Sequence, residues 1–367
     1  MVVVFSGNCG RSLYHFRIPV VKKLQQLGHK VIAVLPPDEY TDIIRAEQVE
    51  VVLLKNMKPS SKNLFHDIKL YKEYISIYRS ISPDIIFEYT IKPHIFSTLA
   101  SRKLNIPCIA IVSGLGYSFT HKTTATFLLR KLYKFGVKKA NQVWFSNNSD
   151  KEVFEELGFV RKENSLLLNG EGIDTNYYTF NEPNTAERSF LFSGRLLYDK
   201  GIEIYFKAAQ ILKAKYPEVK FSILGFVNND DPRSVAEEIL QSWHQSGVVE
   251  YLGSTKNIKP YVKNCTCFVL PSFYKEGMST ALMEAASIGR PLIASNIPGC
   301  KELVDHEKTG YICTPKSVED LAAQMEKIIL LSNDEILQMG KCSRNKMINE
   351  FDFKNIYPKY ENAVNSI

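Results

Sequence analysis

Two glutamates eight positions apart, Glu276 and Glu284, are the first candidates for chemistry. Glu276 lies in the segment FYKEGM after the apolar run CFVLP, and Glu284 lies in a stretch of helical apolar spacing that ends at Gly289. This pattern predicts a buried strand, a loop and a helix that begins near Ser279. Phosphate groups bind where the carboxyl end of a strand meets a helix N-terminus. The pair could therefore hold hydroxyls of one nucleotide-linked ligand. For a lone pair, a solvated loop charge and a helix-surface residue would be the better explanation, and the surrounding residues favour the ligand-binding one.

A second candidate group is cationic. Arg195 follows the apolar run SFLFSG, and Lys200 precedes a predicted helix that begins near Gly201. Two fixed cations beside free backbone N–H groups can hold a diphosphate and stabilise a departing nucleotide. Each could be a surface charge, but their place in the same half as the glutamates favours a function. Asp230 and Asp231 could bind a metal, although turn chemistry explains them, so a leaving group stabilised by cations without metal is the preferred hypothesis.

Alternating strands and helices must position these groups. In the first half, strands are predicted at 1–6, 31–35, 50–54, 84–88, 108–112, 142–146 and 165–168, and helices at 13–27 and 66–81. In the second half, strands are predicted at 189–195, 219–225, 248–253, 265–271, 291–295 and 309–314, and a helix at 333–349. Such alternation is typical of parallel sheets covered on both faces. The sequence therefore predicts two doubly wound α/β domains with an intervening cleft, residues 1–175 and 176–349, joined by a polar linker at 174–188.

The turn after the first strand is rich in glycine. Gly7 and Gly10 permit a tight turn and close approach of a ligand to the backbone. A dinucleotide-binding enzyme would need G-x-G-x-x-G and an acidic residue about twenty positions further along. The spacing is different here, and Asp38 comes too late, so the pattern argues against an oxidoreductase.

Composition and charge narrow the class further. A chain of 367 residues is longer than one core usually serves, and it contains no apolar run long enough for a transmembrane helix. No signal-peptide pattern is present at the start, so we expect a cytoplasmic protein. The seven cysteines are an odd number without metal-ligand spacing, which favours reduced, buried thiols.

The net charge of +7 is unevenly spread. Residues 121–140 contain six Lys or Arg residues and a histidine but no acidic residue, and Phe127, Leu128, Leu132 and Phe135 recur at helical spacing. The pattern predicts a basic amphipathic helix, which would suit either an anionic membrane surface or ordinary packing with a basic outer face. One short basic helix without interleaved stacking aromatics argues against nucleic-acid binding.

Several motifs in a fixed order resemble one known family over essentially the whole chain. They are SGRLLYDKG (193–201), ILG (223–225), YLG (251–253), PSFYKEGMSTALMEA (271–285) and GRPLIASNIPG (289–299). Together they resemble the family 4 glycosyltransferases of the GT-B fold. That resemblance implies two Rossmann-like domains with an interdomain cleft, retention of anomeric configuration, and no metal or other cofactor. It also implies an N-terminal acceptor-binding domain, a C-terminal donor-binding domain, and a terminal segment, 350–367, that packs back on the first.

The resemblance also implies roles for individual residues. Arg195 and Lys200 would bind the donor diphosphate, and Glu276 would contact hydroxyls of the donor sugar, which makes these three the catalytic candidates. Glu284 would bind the ribose of the nucleotide. The remaining donor-side candidates come from the loops around the sugar, phosphate, base and reaction centre: Gly277, Met278, Ser279, Gly253, Ser254 and Gly7.

One departure from the family lies on the acceptor side. Many members have a His–Gly pair where this chain has Ser113 and Gly114. A serine cannot act as a near-neutral acid or base, so its role would be positional. The acceptor-side candidates are Ser113, Gly114, Lys92, His94 and Asn8. A post-strand turn explains Lys92 and His94 equally well.

Within the family, YHFR (14–17), TIKPH (90–94) and SGLGYSF (113–119) resemble bacterial enzymes that extend sugars on a polyprenyl diphosphate carrier. This implies a hexosyltransferase that moves a sugar from a UDP-linked donor, with UDP-N-acetylgalactosamine as a candidate, to a lipid-linked saccharide. It would work at the cytoplasmic face of the inner membrane, with 121–140 as the docking helix. The alternatives are a sugar-nucleotide epimerase or phosphorylase, and a non-catalytic nucleotide-sugar-binding or membrane scaffold protein. A phosphorylase is disfavoured because the sequence shows no lysine in the context that the phosphorylase cofactor requires.

Overall fold

The structure is a computed structural model that describes residues 1–58, 64–115, 124–228, 231–274 and 277–367. Contacts divide the chain into two compact units. Unit 1 contains Met1–Gly172 and Phe353–Ile367, and unit 2 contains Ile173–Asp352. Within the described ranges, no helix combines the length and the apolar character that a membrane crossing requires.

Unit 1 is built on a seven-stranded parallel sheet. Its strands are β1 (Val2–Ser6), β2 (Lys30–Leu35), β3 (Glu50–Leu53), β4 (Ile85–Tyr89), β5 (Cys108–Val112), β6 (Gln142–Phe145) and β7 (Ser165–Leu167), in the spatial order β3-β2-β1-β4-β5-β6-β7. Its helices before unit 2 are α1 (Gly10–Gln26), α2 (Thr41–Ala46), α3 (Leu64–Ile81), α4 (Thr98–Lys103), α5 (Thr124–Val137) and α6 (Asn148–Glu156). A π-helical turn, Pro93–Ser97, precedes α4, and a short 3-10 turn, Lys162–Asn164, precedes β7.

Unit 2 repeats this construction with six parallel strands in the order β10-β9-β8-β11-β12-β13. They are β8 (Ser189–Ser193), β9 (Lys220–Leu224), β10 (Glu250–Tyr251), β11 (Cys267–Leu270), β12 (Leu292–Ser295) and β13 (Gly310–Cys313). The helices are α7 (Ile202–Lys215), α8 (Glu237–Gln245), α9 (Lys259–Asn264), α10 (Thr280–Ile288), α11 (Val318–Leu330) and α12 (Asn333–Lys346), with 3-10 turns at Tyr198–Lys200 and Lys301–Leu303 and a π-helical turn at Met347–Phe351.

Both sheets have the doubly wound strand order, in which the chain reverses direction across the sheet beside the first strand. The reversal lies between β1 and β4 in unit 1 and between β8 and β11 in unit 2. The predicted α/β fold class is confirmed. Strand β11 is a continuous apolar run, and β4 is buried throughout, Glu88 included, because helices cover both faces of each sheet.

The last helix, α13 (Phe353–Asn365), returns to unit 1 after unit 2 is complete. Tyr360 is buried there, with ring centroids 4.9 Å from that of Phe87 and 5.1 Å from that of Trp144. Its hydroxyl lies 2.9 Å from that of Tyr89. The helix is therefore part of the core on one face of the first sheet.

The prediction of a linker at 174–188 is wrong. The N–H of Asn181 donates to the carbonyl of Ile288 at 2.9 Å, and the Thr266 hydroxyl donates to the carbonyl of Asn184 at 2.6 Å. The backbone of the segment thus bonds to unit 2, and the segment belongs to that unit although most of its side chains are exposed or half-buried.

Candidate functional site

The two cations predicted to bind phosphate follow the central strand of unit 2. Arg195 is exposed two residues after β8, and Lys200 ends the 3-10 turn that leads into α7. Gly201 has φ +79°, and a Cβ at this position would lie 2.1 Å from the carbonyl oxygen of Pro271. Only a glycine lets the backbone beside Lys200 approach the end of β11 this closely.

Tyr274, in the loop after β11, brings the two cations together. The Arg195 guanidinium lies 5.9 Å and the Lys200 ammonium 5.4 Å from the centroid of its ring. Cations at this distance are attracted by the ring face. Two positive charges are thus collected at the carboxyl ends of β8 and β11, an arrangement suited to an anionic ligand.

The loops after β8, β9 and β10 are stacked through glycines. A Cβ on Gly225 would lie 2.0 Å from the carbonyl oxygen of Gly194, and the N–H of Gly225 donates to the carbonyl of Gly253 at 2.8 Å. Gly253 has φ +73°, and Ser254 after it is exposed. The structure therefore places these two candidates in one layer with the Arg195 loop.

The loop between β11 and α10 carries four further candidates. Glu276 lies outside the described residues, so its role stays a prediction. Met278 packs against the core of unit 2. Ser279 precedes α10, and its N–H donates to the carbonyl of Gly299 at 2.8 Å. The N–H of Ser279 therefore already has a partner in the protein.

Glu284 lies inside α10, as predicted, and is half-buried. The Tyr178 hydroxyl donates to its Oε1 at 2.7 Å. Burial raises the pKa of Glu284 to about 7, and the hydrogen bond from Tyr178 opposes this shift. A carboxylate held this way can accept hydrogen bonds from the two hydroxyls of a ribose when it is ionised. Sequence reasoning missed Tyr178 because it was assigned to the linker.

The glycine-rich turn of unit 1 lines a small pocket at the carboxyl ends of β1 and β4. Gly7, Asn8, Ser12, Arg17 and Thr90 contribute to its wall. Among the described residues, Arg17 Nε and Thr90 Oγ1 are buried side-chain atoms without a hydrogen-bond partner. Thr90 also has φ +72°, a conformation that a β-branched residue rarely adopts. The pocket could therefore offer donors to one oxygen of a ligand.

Arg17, which the sequence did not single out, is the main charge beside this pocket. It is 3% exposed, and its Nη2 donates to Glu171 Oε1 at 2.6 Å. Its Nη1 donates to the Ser12 carbonyl at 2.8 Å, and its guanidinium lies 3.7 Å above the centroid of the Tyr89 ring. A buried cation with these partners fixes α1, the end of β4 and the segment before Gly172 to one another.

Asp38, which was rejected as a ribose ligand, has another role. Its Oδ2 accepts the N–H of Gly10 at 2.5 Å, and its Oδ1 accepts the N–H of Tyr40 at 3.0 Å. The carboxylate thus satisfies the first free N–H of α1. A Cβ on Gly10 would lie 2.5 Å from Asp38 Oδ1, so glycine is needed for this contact.

The acceptor-side candidates Lys92 and His94 already have partners in the protein. Lys92 pairs with Asp67 at 2.7 Å. His94 is 1% exposed; its Nε2–H donates to the Glu88 carbonyl at 2.9 Å, and its Nδ1 accepts from the Tyr133 hydroxyl at 2.8 Å. Burial lowers the pKa of His94 to about 4, which keeps the ring neutral. These contacts support the structural interpretation of both residues, and a role toward an acceptor stays a prediction.

Ser113 and Gly114 follow β5 at the same edge of the sheet. Ser113 is exposed and Gly114 has φ +136°. The rest of the SGLGYSF motif, from residue 116, lies outside the described residues. The side chain of Ser113 is thus open to solvent where the family histidine would stand.

The predicted basic helix 121–140 corresponds to α5, with residues 121–123 outside the described part of the chain. Phe127, Leu128 and Phe135 are 55%, 62% and 56% exposed. The ammonium of Lys131 lies 4.6 Å from the centroid of the Phe127 ring. The opposite face is fixed by Gly136, where a Cβ would lie 2.7 Å from the Cα of Ile95. The outer face therefore combines large apolar side chains with cations.

Comparisons with known proteins agree with this description. The group 1 glycosyltransferase family matches residues 177–346, and the glycosyltransferase 4-like family matches residues 3–148. The N,N'-diacetylbacillosaminyl-diphospho-undecaprenol alpha-1,3-N-acetylgalactosaminyltransferase of Campylobacter jejuni is 30% identical over 360 residues, which cover 93% of this chain and 92% of that protein.

Two further proteins extend the comparison. The UDP-Gal:alpha-D-GlcNAc-diphosphoundecaprenol alpha-1,3-galactosyltransferase of Escherichia coli is 28% identical over 307 residues, which cover 78% of this chain and 76% of that protein. The crystal structure of HepE from Anabaena in complex with UDP has a TM-score of 0.84 and 18% identity, with 100% of both chains covered. The resemblance inferred from the motifs is confirmed, and the chain belongs to the GT-B glycosyltransferases that combine a 4-like and a group 1 domain.

Proposed function

We propose that this glycosyltransferase moves a sugar, with retention of configuration, from a UDP-linked donor to a polyprenyl-diphosphate-linked saccharide. The observation that carries the proposal is the convergence of Arg195 and Lys200 on Tyr274 at the carboxyl ends of β8 and β11. A nucleoside diphosphate supplies the anion that such a site requires. The matched relatives from Campylobacter jejuni and Escherichia coli are named for diphosphoundecaprenol-linked acceptors, which supports the acceptor class.

In the proposed reaction the bond between sugar C1 and the diphosphate oxygen breaks, and its electron pair leaves with the diphosphate. Arg195 and Lys200 offset the charge that develops on this leaving group. Glu276 orients the sugar and does not attack it. The acceptor oxygen bonds to C1 on the face that the diphosphate leaves, and its proton passes to a donor phosphate oxygen. Neutral, buried His94 is consistent with a reaction that needs no histidine base.

We propose UDP-N-acetylgalactosamine as the donor, because the Campylobacter jejuni relative is named for transfer of N-acetylgalactosamine. Glu284 would accept the ribose hydroxyls, and Gly253 and Ser254 would lie beside the base. Unit 1 would bind the acceptor, with the pocket between Gly7 and Thr90 holding one of its oxygens.

We further propose that α5 docks on an anionic lipid surface at the cytoplasmic face of the inner membrane. Its outer face exposes Phe127, Leu128 and Phe135 among lysines. Exposed aromatic side chains suit the acyl boundary, and lysines suit anionic head groups. Such docking would bring unit 1 to a lipid-linked acceptor.

The direct test is product analysis with a synthetic undecaprenyl-diphosphate-linked N-acetylated amino sugar and a panel of UDP-sugars. We expect an extended lipid-linked product that keeps the α configuration of the donor, made equally well in the presence of EDTA. Among the described residues, no group of three or more His, Cys, Asp and Glu side chains is placed to hold a metal ion, and the EDTA experiment tests metal dependence directly. Loss of transfer in EDTA that magnesium or manganese restores would contradict metal independence.

Two results would instead support the alternatives. Turnover of the UDP-sugar to its epimer without acceptor would indicate an epimerase, and nucleotide binding without any transfer would indicate a binding or scaffold protein. The Glu276→Gln variant separates a reacting site from a binding site, since we expect it to bind UDP normally but to lose transfer about 100-fold. Full transfer by this variant would remove Glu276 from the mechanism.

A further inference from the structure

Arg233 lies in the loop after β9, in the segment NNDDPRS, where turn chemistry was the simple explanation of the two aspartates. In the structure its side chain joins two carboxylates. Nη1 donates to Asp199 Oδ2 at 3.1 Å, while Nη2 donates to Asp231 Oδ2 at 2.6 Å and Nε to Asp231 Oδ1 at 2.9 Å. Asp230 lies outside the described residues. Asp231 is therefore a partner of Arg233 and not only a turn residue.

Asp199 connects this arginine to the loop that carries Glu276. It belongs to the 3-10 turn between Arg195 and Lys200. Its carbonyl accepts the N–H groups of Phe273 and Tyr274, both at 2.9 Å. One residue thus receives Arg233 on its side chain and the loop after β11 on its backbone.

The backbone of Arg233 adds a further contact, because its carbonyl accepts the N–H of Tyr198 at 2.9 Å. Its guanidinium also lies 6.0 Å from the centroid of the Tyr274 ring, on which Arg195 and Lys200 converge. Arg233 consequently contacts three adjacent strand-end loops, those after β8, β9 and β11.

We propose that Arg233 is a positioning residue of the donor site, which through Asp199 holds the Arg195–Lys200 turn against the loop that carries Glu276. The inference rests on the proposed function, because it assigns Arg233 to the same site. The Arg233 side chain is 45% exposed, whereas Asp199 and Asp231 are 18% and 15% exposed, so the arginine joins the two carboxylates from the solvent side. A guanidinium is required because its planar fork can bond two carboxylates at once, which an ammonium on a flexible stem does not reproduce.

The test compares Arg233→Gln, Arg233→Lys and Asp199→Asn with the wild type, using UDP-N-acetylgalactosamine and the synthetic lipid-linked acceptor. We expect Arg233→Gln and Asp199→Asn each to lower kcat about 10- to 100-fold, since small misplacement of reacting groups has effects of that size. The UDP dissociation constant, measured by calorimetry, should stay within about threefold of wild type, because Arg195, Lys200 and Glu284 remain. Arg233→Lys should resemble Arg233→Gln.

The Asp199→Asn/Arg233→Gln double variant should be no worse than the more damaged single variant, because both changes break the same connection. The matched control is Lys220→Gln, which breaks the exposed Lys220–Glu187 pair of the same unit and should leave kcat within about twofold.

Three results would overturn the inference: near-wild-type kcat in Arg233→Gln, recovery of kcat in Arg233→Lys, or losses that multiply in the double variant. A UDP dissociation constant that rises in step with the fall in kcat would also do so, since it would indicate direct phosphate binding by Arg233. Failure of the proposed function is distinguishable, because then the wild type itself would transfer no sugar from any UDP donor.

Discussion

The strands β1 and β8 occupy equivalent places in the sheets of the two units. The arginines that follow them, Arg17 and Arg195, differ in their burial and in their partners. Beside β1, Arg17 is 3% exposed and paired with Glu171, and it stacks on Tyr89. After β8, Arg195 is exposed and shares Tyr274 with other cations. A buried charge depends on its partner for folding, whereas an exposed one remains available to an anion from solution. One topology thus carries a buried, paired cation in unit 1 and, in unit 2, exposed cations that we propose bind the donor diphosphate.

Titratable groups follow the same division. In unit 1, burial raises the pKa of Glu88 to about 8 and lowers that of His94 to about 4, so both are uncharged near neutral pH. In unit 2, hydrogen bonds from Arg233 lower the pKa of Asp231 to about 2, so the pair stays charged. Burial thus leaves Glu88 and His94 of unit 1 uncharged, whereas the exposed Arg233 keeps Asp231 of unit 2 ionised.

The comparison is tested most strongly at Arg17. Arg17→Ala leaves Glu171 half-buried without its partner, and we expect unit 1 to lose about 3–5 kcal/mol of unfolding free energy. Urea unfolding can be followed through the buried Trp144 in a Trp243→Phe background, so that the signal comes from unit 1 alone. Adding Glu171→Gln should restore part of the loss. Unfolding of Arg17→Ala at the wild-type urea concentration would show that the pair is not structural.

In contrast to Arg17→Ala, Arg195→Ala should reduce activity and leave stability unchanged. We expect kcat/KM for transfer to fall about 100- to 1,000-fold because a group that stabilises the leaving diphosphate is removed. The melting temperature should not change, since the side chain is exposed. Lys220→Gln again serves as the control for loss of a surface cation. A variant that is unstable but active would reverse the contrast with Arg17.

Glu284 provides a pH test within unit 2. Its pKa of about 7 is raised by burial, so the carboxylate is mostly protonated at pH 6 and mostly ionised at pH 8. Only the ionised form accepts both ribose hydroxyls, so UDP affinity should increase with pH. Relative to Glu284→Gln, which cancels the titration of UDP itself, the gain between these pH values should be about tenfold. A ratio that does not change with pH would place the ribose elsewhere.

The smallest expected effect concerns α5 of unit 1, whose cations face outward. Lys131→Gln should weaken binding to phosphatidylglycerol vesicles about fivefold, the effect of one basic residue near an anionic surface. Sedimentation with vesicles measures this, and phosphatidylcholine vesicles and Lys220→Gln are the controls. Equal binding to both lipids would contradict an anionic docking surface.

The sequence alone predicts the strands and helix ends, because these depend on residues that are close together in the chain. Runs rich in apolar residues predicted the thirteen strands that the described residues form, and the helix stop at Gly289 is confirmed by its φ of +97°. The contacts that complete the site join distant residues: 154 positions separate Arg17 from Glu171, and 106 separate Tyr178 from Glu284. A local sequence pattern cannot predict such pairs, because the order of the strands in the sheet decides which distant side chains come into contact.

The linker illustrates the same limit. A polar run such as 174–188 has the composition of a connector, yet its backbone makes hydrogen bonds to unit 2. Arg233 was likewise hidden in a turn-like segment, since only the adjacency of β8, β9 and β11 brings it to Asp199.

Helix α13 also affects how the chain is made. Tyr360 fills the space between Phe5, Phe87 and Trp144, yet it leaves the ribosome after the whole of unit 2. Unit 2 is continuous from Ile173 to Asp352 and can fold as soon as it emerges. Unit 1 can thus be completed only after unit 2 has been synthesised, whereas N-terminal domains usually fold first during synthesis. The sheet of unit 1 is synthesised first, but its core is covered only when α13 has been synthesised. Until then, one face of its aromatic core is accessible to chaperones and proteases.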